Sequence, residues 1–79
     1  MIPLYGFLQG DTIGLLILAQ PGETMAALAD KLQDSAAVRI PRRERMVVRW
    51  KDRILDGRIT VAQAGLTALD RFDVVPAAS

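Results

Sequence analysis

Chemistry in a small protein depends on its titratable and nucleophilic side chains, and two of the most useful kinds are missing from this sequence. The 79 residues contain no histidine and no cysteine. The chain therefore lacks the commonest general base, the commonest metal ligand, disulfides and thiolate metal sites. Asp11, Asp70 and Asp73 are carboxylates without a histidine partner, and we interpret them as residues of turns and strand ends. The sequence thus predicts no catalytic, cofactor-binding or metal-binding residue.

Basic side chains are concentrated in one stretch of the chain. From Arg39 to Arg58 there are eight basic and three acidic residues, a net charge of +5, whereas the remainder carries −4. Seven of the eight are arginine, whose planar guanidinium pairs with carboxylates or phosphates through two hydrogen bonds. We interpret the stretch as a docking surface for an acidic protein patch, with a solvated face as the alternative. Nucleic acid is disfavoured, because only Trp50 is there to stack on bases.

Four aromatic residues fall on predicted strands, namely Tyr5, Phe7, Trp50 and Phe72. Core packing is the simplest interpretation for all of them. The alternative for Tyr5 and Trp50 is that they anchor an interface, a usual role of half-buried aromatic residues. The predicted partner-binding residues are Arg39, Arg42, Arg43, Arg45, Arg49, Trp50 and Tyr5.

The first half of the chain predicts a β-hairpin and a helix that lies across it. Met1–Leu8 and Thr12–Ala19 are strand-length apolar runs separated by a glycine-containing turn. Both runs are apolar on both faces, so either the rest of the domain or a partner must cover them. Thr24 is the predicted N-cap of a helix over Met25–Ala37, whose apolar residues recur with a period of 3.6. The polar residues expected on its wet side are Asp30, Lys31, Gln33 and Asp34.

The second half predicts three short strands. Pro41 makes residues 38–45 a connector, because a proline cannot continue the helix. The strands are Met46–Trp50, then Arg53–Leu55 and Phe72–Val75. In the first of them Met46 and Val48 are expected toward the core and Val47 and Arg49 away from it. The alternative is a register shifted by one residue, which would exchange the two faces.

A single helical turn is predicted between the last two of these strands. Asp56-Gly57 turns the chain, Thr60 caps the helical turn, and Gly65 ends it. Leu66 and Leu69 are expected to fill the core.

This order of elements predicts an α+β fold of the ubiquitin-like β-grasp type. We expect a mixed sheet of about five strands, one main helix packed on one face, a short helical turn before the last strand, and that strand in the centre, parallel to the first. Residues 1–75 are the predicted domain and residues 76–79 a frayed tail. Ubiquitin and the sulphur carriers of this fold act through a C-terminal Gly-Gly. The sequence 74–79 has none, so we expect neither conjugation nor sulphur carriage.

Several segments resemble one protein family over nearly the full length of the chain. They are Pro3 with Asp11, Thr24-Met25 with Ala29 and Lys31, Val38-Arg39-Ile40-Pro41-Arg42, Met46-Val47-Val48-Arg49, Thr60-Val61-Ala62-Gln63-Ala64-Gly65-Leu66 and Phe72-Asp73-Val74-Val75. The last two are the most specific. The chain resembles the small ubiquitin-like subunit (gamma, or system protein B) of bacterial toluene and related arene or alkene monooxygenases. It departs from that family in the compact turn at residues 53–57.

The resemblance implies a non-catalytic subunit without cofactors. In that family a large alpha subunit holds a carboxylate-bridged di-iron centre, a beta subunit dimerises the assembly, and the gamma subunit docks on the outside. The implied partners are the larger hydroxylase subunits, and we expect no nucleic acid, no membrane and no small-molecule substrate of its own. We also expect a cytoplasmic location. The alternative is a stand-alone ubiquitin-like protein of a type VII secretion locus, similar to YukD, which Gly65-Leu66-Thr67 and Asp70-Arg71-Phe72 also resemble.

Overall fold

The computed structural model describes residues 1–77, which form one five-stranded sheet and two helices in the predicted order. The strands are β1 (Ile2–Leu8), β2 (Leu15–Ala19), β3 (Met46–Trp50), β4 (Arg53–Ile54) and β5 (Arg71–Pro76), and the helices are α1 (Met25–Ala36) and α2 (Val61–Ala64). The spatial order of the strands is β2-β1-β5-β3-β4. Strand β5 runs parallel to β1 and antiparallel to β3. The predicted β-grasp fold, with the last strand in the centre of a mixed sheet, is confirmed.

The core lies between one face of the sheet and α1. Side chains alternate along a strand, so every second residue of each strand points toward the helix. Phe72 and Val74 of β5 and Val48 of β3 are buried on this face, as the predicted register of β3 requires. The apolar stripe of α1 covers them with side chains that are at most 3% exposed: Met25, Leu28, Ala29, Leu32 and Ala36.

Gly6 is an inward-facing position of β1 at which neighbouring side chains leave no room for a Cβ atom. A Cβ atom on Gly6 would lie 2.8 Å from Cζ of Phe72 and 3.0 Å from Cδ1 of Leu32. Overpacking of this kind costs about 1–3 kcal/mol, and we expect Gly6→Ala to lower the free energy of unfolding by that amount. The matched control is Gly22→Ala, because a Cβ there would meet nothing within 4 Å. Urea denaturation of both variants tests this, and equal stabilities would contradict it.

Both helices begin directly after the N-cap residues that the sequence predicts, and α2 ends at the predicted glycine. Thr24 Oγ1 accepts a hydrogen bond from the Ala27 amide. Thr60 and Gln63 form a reciprocal capping box, in which each side chain accepts from the amide of the other residue. Gly65 ends α2 with a φ of 87°, a left-handed conformation that favours glycine.

The segments at the N-termini of the two helices also exchange backbone hydrogen bonds with each other. The amide of Met25 donates to the Ile59 carbonyl at 2.8 Å, and the amide of Val61 donates to the Glu23 carbonyl at 2.8 Å. The first amides of a helix have no partner within the helix. This exchange therefore stabilises both helix starts and ties the first half of the chain to the second.

Gln33 is not on the wet side of α1, so that prediction is wrong. Its side chain is 4% exposed. Its Nε2 donates to the Arg43 carbonyl at 3.1 Å, and its Oε1 accepts from the Arg43 amide at 2.8 Å. The connector folds back over α1 and buries the side-chain amide of Gln33. The apolar periodicity of the helix alone does not predict this contact, because Arg43 lies outside the helix.

The prediction that Leu69 fills the core is also wrong, whereas Leu66 is buried as expected. Leu69 is 59% exposed and has a φ of 67°. A turn from Thr67 to Asp70 directs it outward, because Asp70 Oδ2 accepts from the Thr67 amide at 2.9 Å and the Asp70 amide donates back to the Thr67 carbonyl at 3.0 Å.

Several boundaries differ from the predictions by one to three residues. Strand β2 begins at Leu15 rather than Thr12, because the chain bends where the Asp11 carboxylate accepts a hydrogen bond from the Ile13 amide. Helix α1 ends at Ala36, and Ala37 is its C-cap.

The two later strands differ in the same way. Strand β4 ends at Ile54, while β5 begins at Arg71 and extends to Pro76. The Ala77 amide donates to the Arg45 carbonyl at 2.7 Å. The predicted frayed tail therefore begins with ordered residues, and its last two positions, 78 and 79, lie outside the described residues. No helix among residues 1–77 is long and apolar enough to cross a membrane.

Candidate docking surface

Two of the four arginines of the connector (residues 38–45) are paired with acids of the same chain. Arg39 binds Asp11 through two nitrogens, with Nη2 2.7 Å and Nε 3.1 Å from Oδ2. The Asp11 side chain is 3% exposed. Hydrogen bonding from Arg39 lowers the pKa of Asp11 and raises the pKa of Arg39.

The other three arginines of the connector differ in their partners. Arg42 bridges the carboxylates of Asp30 and Asp34 on α1. Arg43 donates to the Gln9 carbonyl. Arg45 is exposed and forms no ion pair within residues 1–77. The acids of the hairpin turn and of α1 thus offset most of the connector's charge, and the connector is not a free basic surface.

Trp50 packs in the core rather than on the surface. It points toward the helix from β3 and is 8% exposed. The Lys51 Nζ lies 4.6 Å from the centroid of its ring, a cation–π contact. Of the two interpretations of Trp50 offered by the sequence, the structure therefore favours core packing.

Tyr5 lies in an exposed apolar patch on the other side of the sheet, which we call the outer sheet face because it points away from α1. Tyr5 is in register with Leu16 of β2, and Pro3 with Leu18. Tyr5 is 44%, Leu16 56% and Leu18 49% exposed. These three residues form what we call the apolar patch.

A charged cluster continues the outer sheet face across β5 and β3. Asp73 of β5 accepts from Nη2 of Arg49 at 3.1 Å and from Nε of Arg71 at 3.0 Å. Burial acts to raise the pKa of Asp73, but the hydrogen bonds from Arg71 and Arg49 outweigh it, so the pKa is lowered. We call Arg49 and Arg71 the arginine pair. Because its two guanidinium groups share the carboxylate of Asp73, the three side chains together carry a net charge of +1.

Phe7 joins the apolar patch to the arginine pair. The guanidinium carbon of Arg71 lies 4.1 Å from the centroid of the Phe7 ring. The ring also lies against Gly14, where an added Cβ would be 2.5 Å from Cζ of Phe7. The ring therefore holds Arg71 in place and fixes the loop of the hairpin. Of the predicted partner-binding residues, Tyr5 and Arg49 lie on this face.

Two open depressions flank the arginine pair. One has a volume of about 270 Å³ and reaches from Phe7 to Val75, and the other, of about 440 Å³, reaches from Trp50 to Asp70. Charged side chains line much of both, unlike the mostly apolar pockets that bind small molecules. Within the described part of the chain, acidic side chains form no group of three or more that could hold a metal ion.

The paired carboxylates predict an acid-sensitive fold. The pKa values of Asp11, Glu23, Asp56 and Asp73 are all lowered in the folded chain. A lowered folded pKa stabilises the protein above the ordinary carboxyl pKa of about 4, and this contribution is lost as the pH falls through the folded value. We expect the melting temperature to be flat from pH 7 to 5 and to decrease below pH 4.

The contribution of Asp11 to this acid sensitivity can be tested by comparing two arginine variants. Arg39→Gln removes the main cause of the lowered pKa of Asp11, so its melting temperature should depend less on pH below 4 than that of the unchanged protein. Arg53→Gln is the control, because Arg53 is exposed and forms no ion pair among the described residues. Identical acid profiles for the two variants would contradict the role of Arg39.

Comparison with known proteins identifies the family of the chain. The family model of toluene-4-monooxygenase system protein B (TmoB) matches residues 1–75. None of the curated protein sequences matches the chain. A chain of the toluene 4-monooxygenase HD complex with the inhibitor 4-bromobenzoate superposes with a TM-score of 0.88 at 24% identity, covering 96% of this chain and 98% of that chain.

Ubiquitin-like domains are also similar in structure. The UBL domain of Plasmodium falciparum Dsk2 superposes with a TM-score of 0.78 at 14% identity, covering 96% of this chain and 97% of that one. A chain from a structure on SUMO mimicry in DNA repair superposes with a TM-score of 0.73 at 23% identity, covering 94% of this chain and 89% of that one. The family predicted from the sequence is confirmed, and the secretion alternative is not favoured. Because the family model spans residues 1–75, the chain belongs to the toluene-4-monooxygenase system protein B family.

Proposed function

We propose that the protein is a non-catalytic interaction subunit of a multicomponent toluene or aromatic monooxygenase, and that it docks on the larger hydroxylase subunit that carries the di-iron centre. The observation that carries this proposal is the family match over residues 1–75, the part of the chain that holds every helix and all but the last residue of β5. Family membership makes it a B-type protein of a monooxygenase system.

A non-catalytic role is supported by the residues present. The sequence contains no histidine or cysteine, and the three best candidate carboxylates are used structurally. Asp11 binds Arg39, Asp70 organises a turn, and Asp73 binds Arg49 and Arg71. The iron ligands and the substrate pocket of the assembly would therefore belong to its other subunits.

Coexpression with the larger hydroxylase subunits of a toluene monooxygenase system tests the proposal. We expect a tagged chain to co-purify with them in a fixed ratio, measured by size-exclusion chromatography with light scattering. Iron and hydroxylation activity should be recovered with the complex and be missing from the isolated chain. A chain that never associates with these subunits, or that hydroxylates an aromatic substrate alone, would refute the proposal.

We further propose a cytoplasmic location. Its support is that the chain belongs to a protein family of a multicomponent monooxygenase system. Cell fractionation followed by immunoblotting tests it, and recovery in a periplasmic or secreted fraction would contradict it.

A further inference from the structure

We propose that the outer sheet face is the docking surface, and that it binds a segment of a larger hydroxylase subunit in which a carboxylate lies beside apolar side chains. The apolar side chains would pack on Tyr5, Leu16 and Leu18, and the carboxylate would bind between Arg49 and Arg71. This inference rests on the proposed function and specifies which surface performs it.

The apolar patch is unusual for the exposed side of an antiparallel pair. Such a face is normally polar where it meets water. Both outward residues of β2 are nevertheless leucines, about half exposed, and Tyr5 lies next to them on β1. Nothing within residues 1–77 covers them, because α1 packs on the opposite face. A contiguous exposed apolar cluster rimmed by charged residues is the kind of surface at which proteins interact.

The arginine pair supplies the charge that selects the partner. Asp73 is the single carboxylate between Arg49 and Arg71, and their side chains remain 47% and 63% exposed. Each guanidinium has five donors, so donors remain for a second carboxylate. Stacking on Phe7 and the bond to Asp73 already hold Arg71 in place. A partner carboxylate would therefore find a pre-organised cation, which reduces the entropic cost of binding.

The register of the sheet sets the spacing of the partner's groups. Tyr5 has Leu16 on one side and Arg71 on the other. Neighbouring strands lie about 4.8 Å apart. The carboxylate of the partner must thus lie roughly 5–10 Å from its apolar side chains, a distance that residues three or four apart on a helix provide.

The other occupants of this face are less compatible with its charge. A second copy of the chain would present the same positively charged cluster, so it is a poorer electrostatic complement to this face than a segment with a carboxylate. The connector is the rival surface, but Arg39 and Arg42 already bind acids of the same chain.

Binding to the hydroxylase assembled without this subunit tests the inference. We expect Leu16→Glu to weaken binding of the full-length chain about tenfold or more, as loss of a central interface contact does. The matched control, Val38→Glu, introduces the same charge at an apolar residue that is 88% exposed on the connector, and its affinity should stay within about twofold. Arg71→Gln should weaken binding and reduce its dependence on salt, whereas Arg45→Gln should not. Thermal unfolding shows whether each variant is folded.

A labelling experiment tests the same face without introducing a charge into it. Because the chain has no cysteine, Leu18→Cys and Val38→Cys each carry a single thiol. We expect the hydroxylase to slow maleimide labelling of Leu18→Cys and to leave labelling of Val38→Cys unchanged.

The two proposals fail in different ways. If the unchanged chain does not bind the hydroxylase at all, the proposed function is refuted and this inference with it. If the unchanged chain binds, but Leu16→Glu binds equally well and Leu18→Cys is not protected, only the outer sheet face is refuted. Protection of Leu18→Cys in the isolated chain, together with elution as a dimer, would assign the face to a second copy and overturn the inference.

Discussion

Replacing Phe72 by alanine should destabilise the protein more than any other single change considered. Phe72 is fully buried in β5, beneath Leu32 of α1 and against Gly6 of β1. Truncating a buried phenylalanine costs about 3–5 kcal/mol. A domain of this length has a free energy of unfolding of roughly 4–12 kcal/mol, so the variant should be marginally folded or unfolded at 37 °C. Urea denaturation followed by circular dichroism measures the change.

A graded companion and a control make this result interpretable. Phe72→Leu keeps most of the buried volume and should lose less stability than Phe72→Ala. Leu18→Ala removes a side chain that is 49% exposed, and it should change the free energy of unfolding by no more than about 0.5 kcal/mol. A loss as large in Leu18→Ala as in Phe72→Ala would mean that the core is not where the structure puts it.

Replacing Gln33 by leucine should have the second-largest effect. The side chain of Gln33 satisfies both the amide and the carbonyl of Arg43. Leucine keeps the volume but leaves these two groups without partners. Each shielded unsatisfied group costs about 1–3 kcal/mol. Because both hydrogen bonds are only part-buried, we expect the lower part of the summed range, a loss of roughly 2–4 kcal/mol in the free energy of unfolding. Hydrogen exchange should also show the Arg43 amide losing protection.

The control for Gln33→Leu is the same substitution at an exposed glutamine. Gln20 is exposed just after β2, and Gln20→Leu should be nearly neutral. If both variants have the stability of the unchanged protein, Gln33 does not fasten the connector to α1.

Local sequence signals were sufficient to predict most of the fold. Thr24 and Thr60 precede apolar periodic runs and are the observed caps, and Gly65 ends α2 in the left-handed conformation. The alternation in Met46–Trp50 predicts the face of β3 that meets the helix. These features depend on residues a few positions apart, so they are visible without knowledge of the tertiary structure.

The candidate site was predicted only in part, because its contacts are distant in sequence. Arg39 and Asp11 are 28 residues apart, and Arg49 and Asp73 are 24 apart. Counting charges along the chain separates a basic stretch from an acidic remainder, whereas folding pairs the two. Gln33 is buried for the same reason, since Arg43 reaches it from the connector.

The outer sheet face did have one signal in the sequence. Both strands of the hairpin are apolar on both faces, which predicts a covering element or a partner. Which residues remain uncovered depends on register, since a shift by one residue exchanges the two faces of a strand. The pairing of Tyr5 with Leu16 and Arg71 is therefore a result of the structure.

The central position of β5 has a consequence for biosynthesis. Strand β5 lies between β1 and β3, which have no direct pairing with each other. A nascent chain that has emerged only as far as residue 70 can thus form two separate hairpins but no continuous sheet. Chains grow at about 5–20 residues per second, so exposed apolar strands would persist for seconds at the ribosome. Completion of this domain must wait until residues 71–76 have left the exit tunnel.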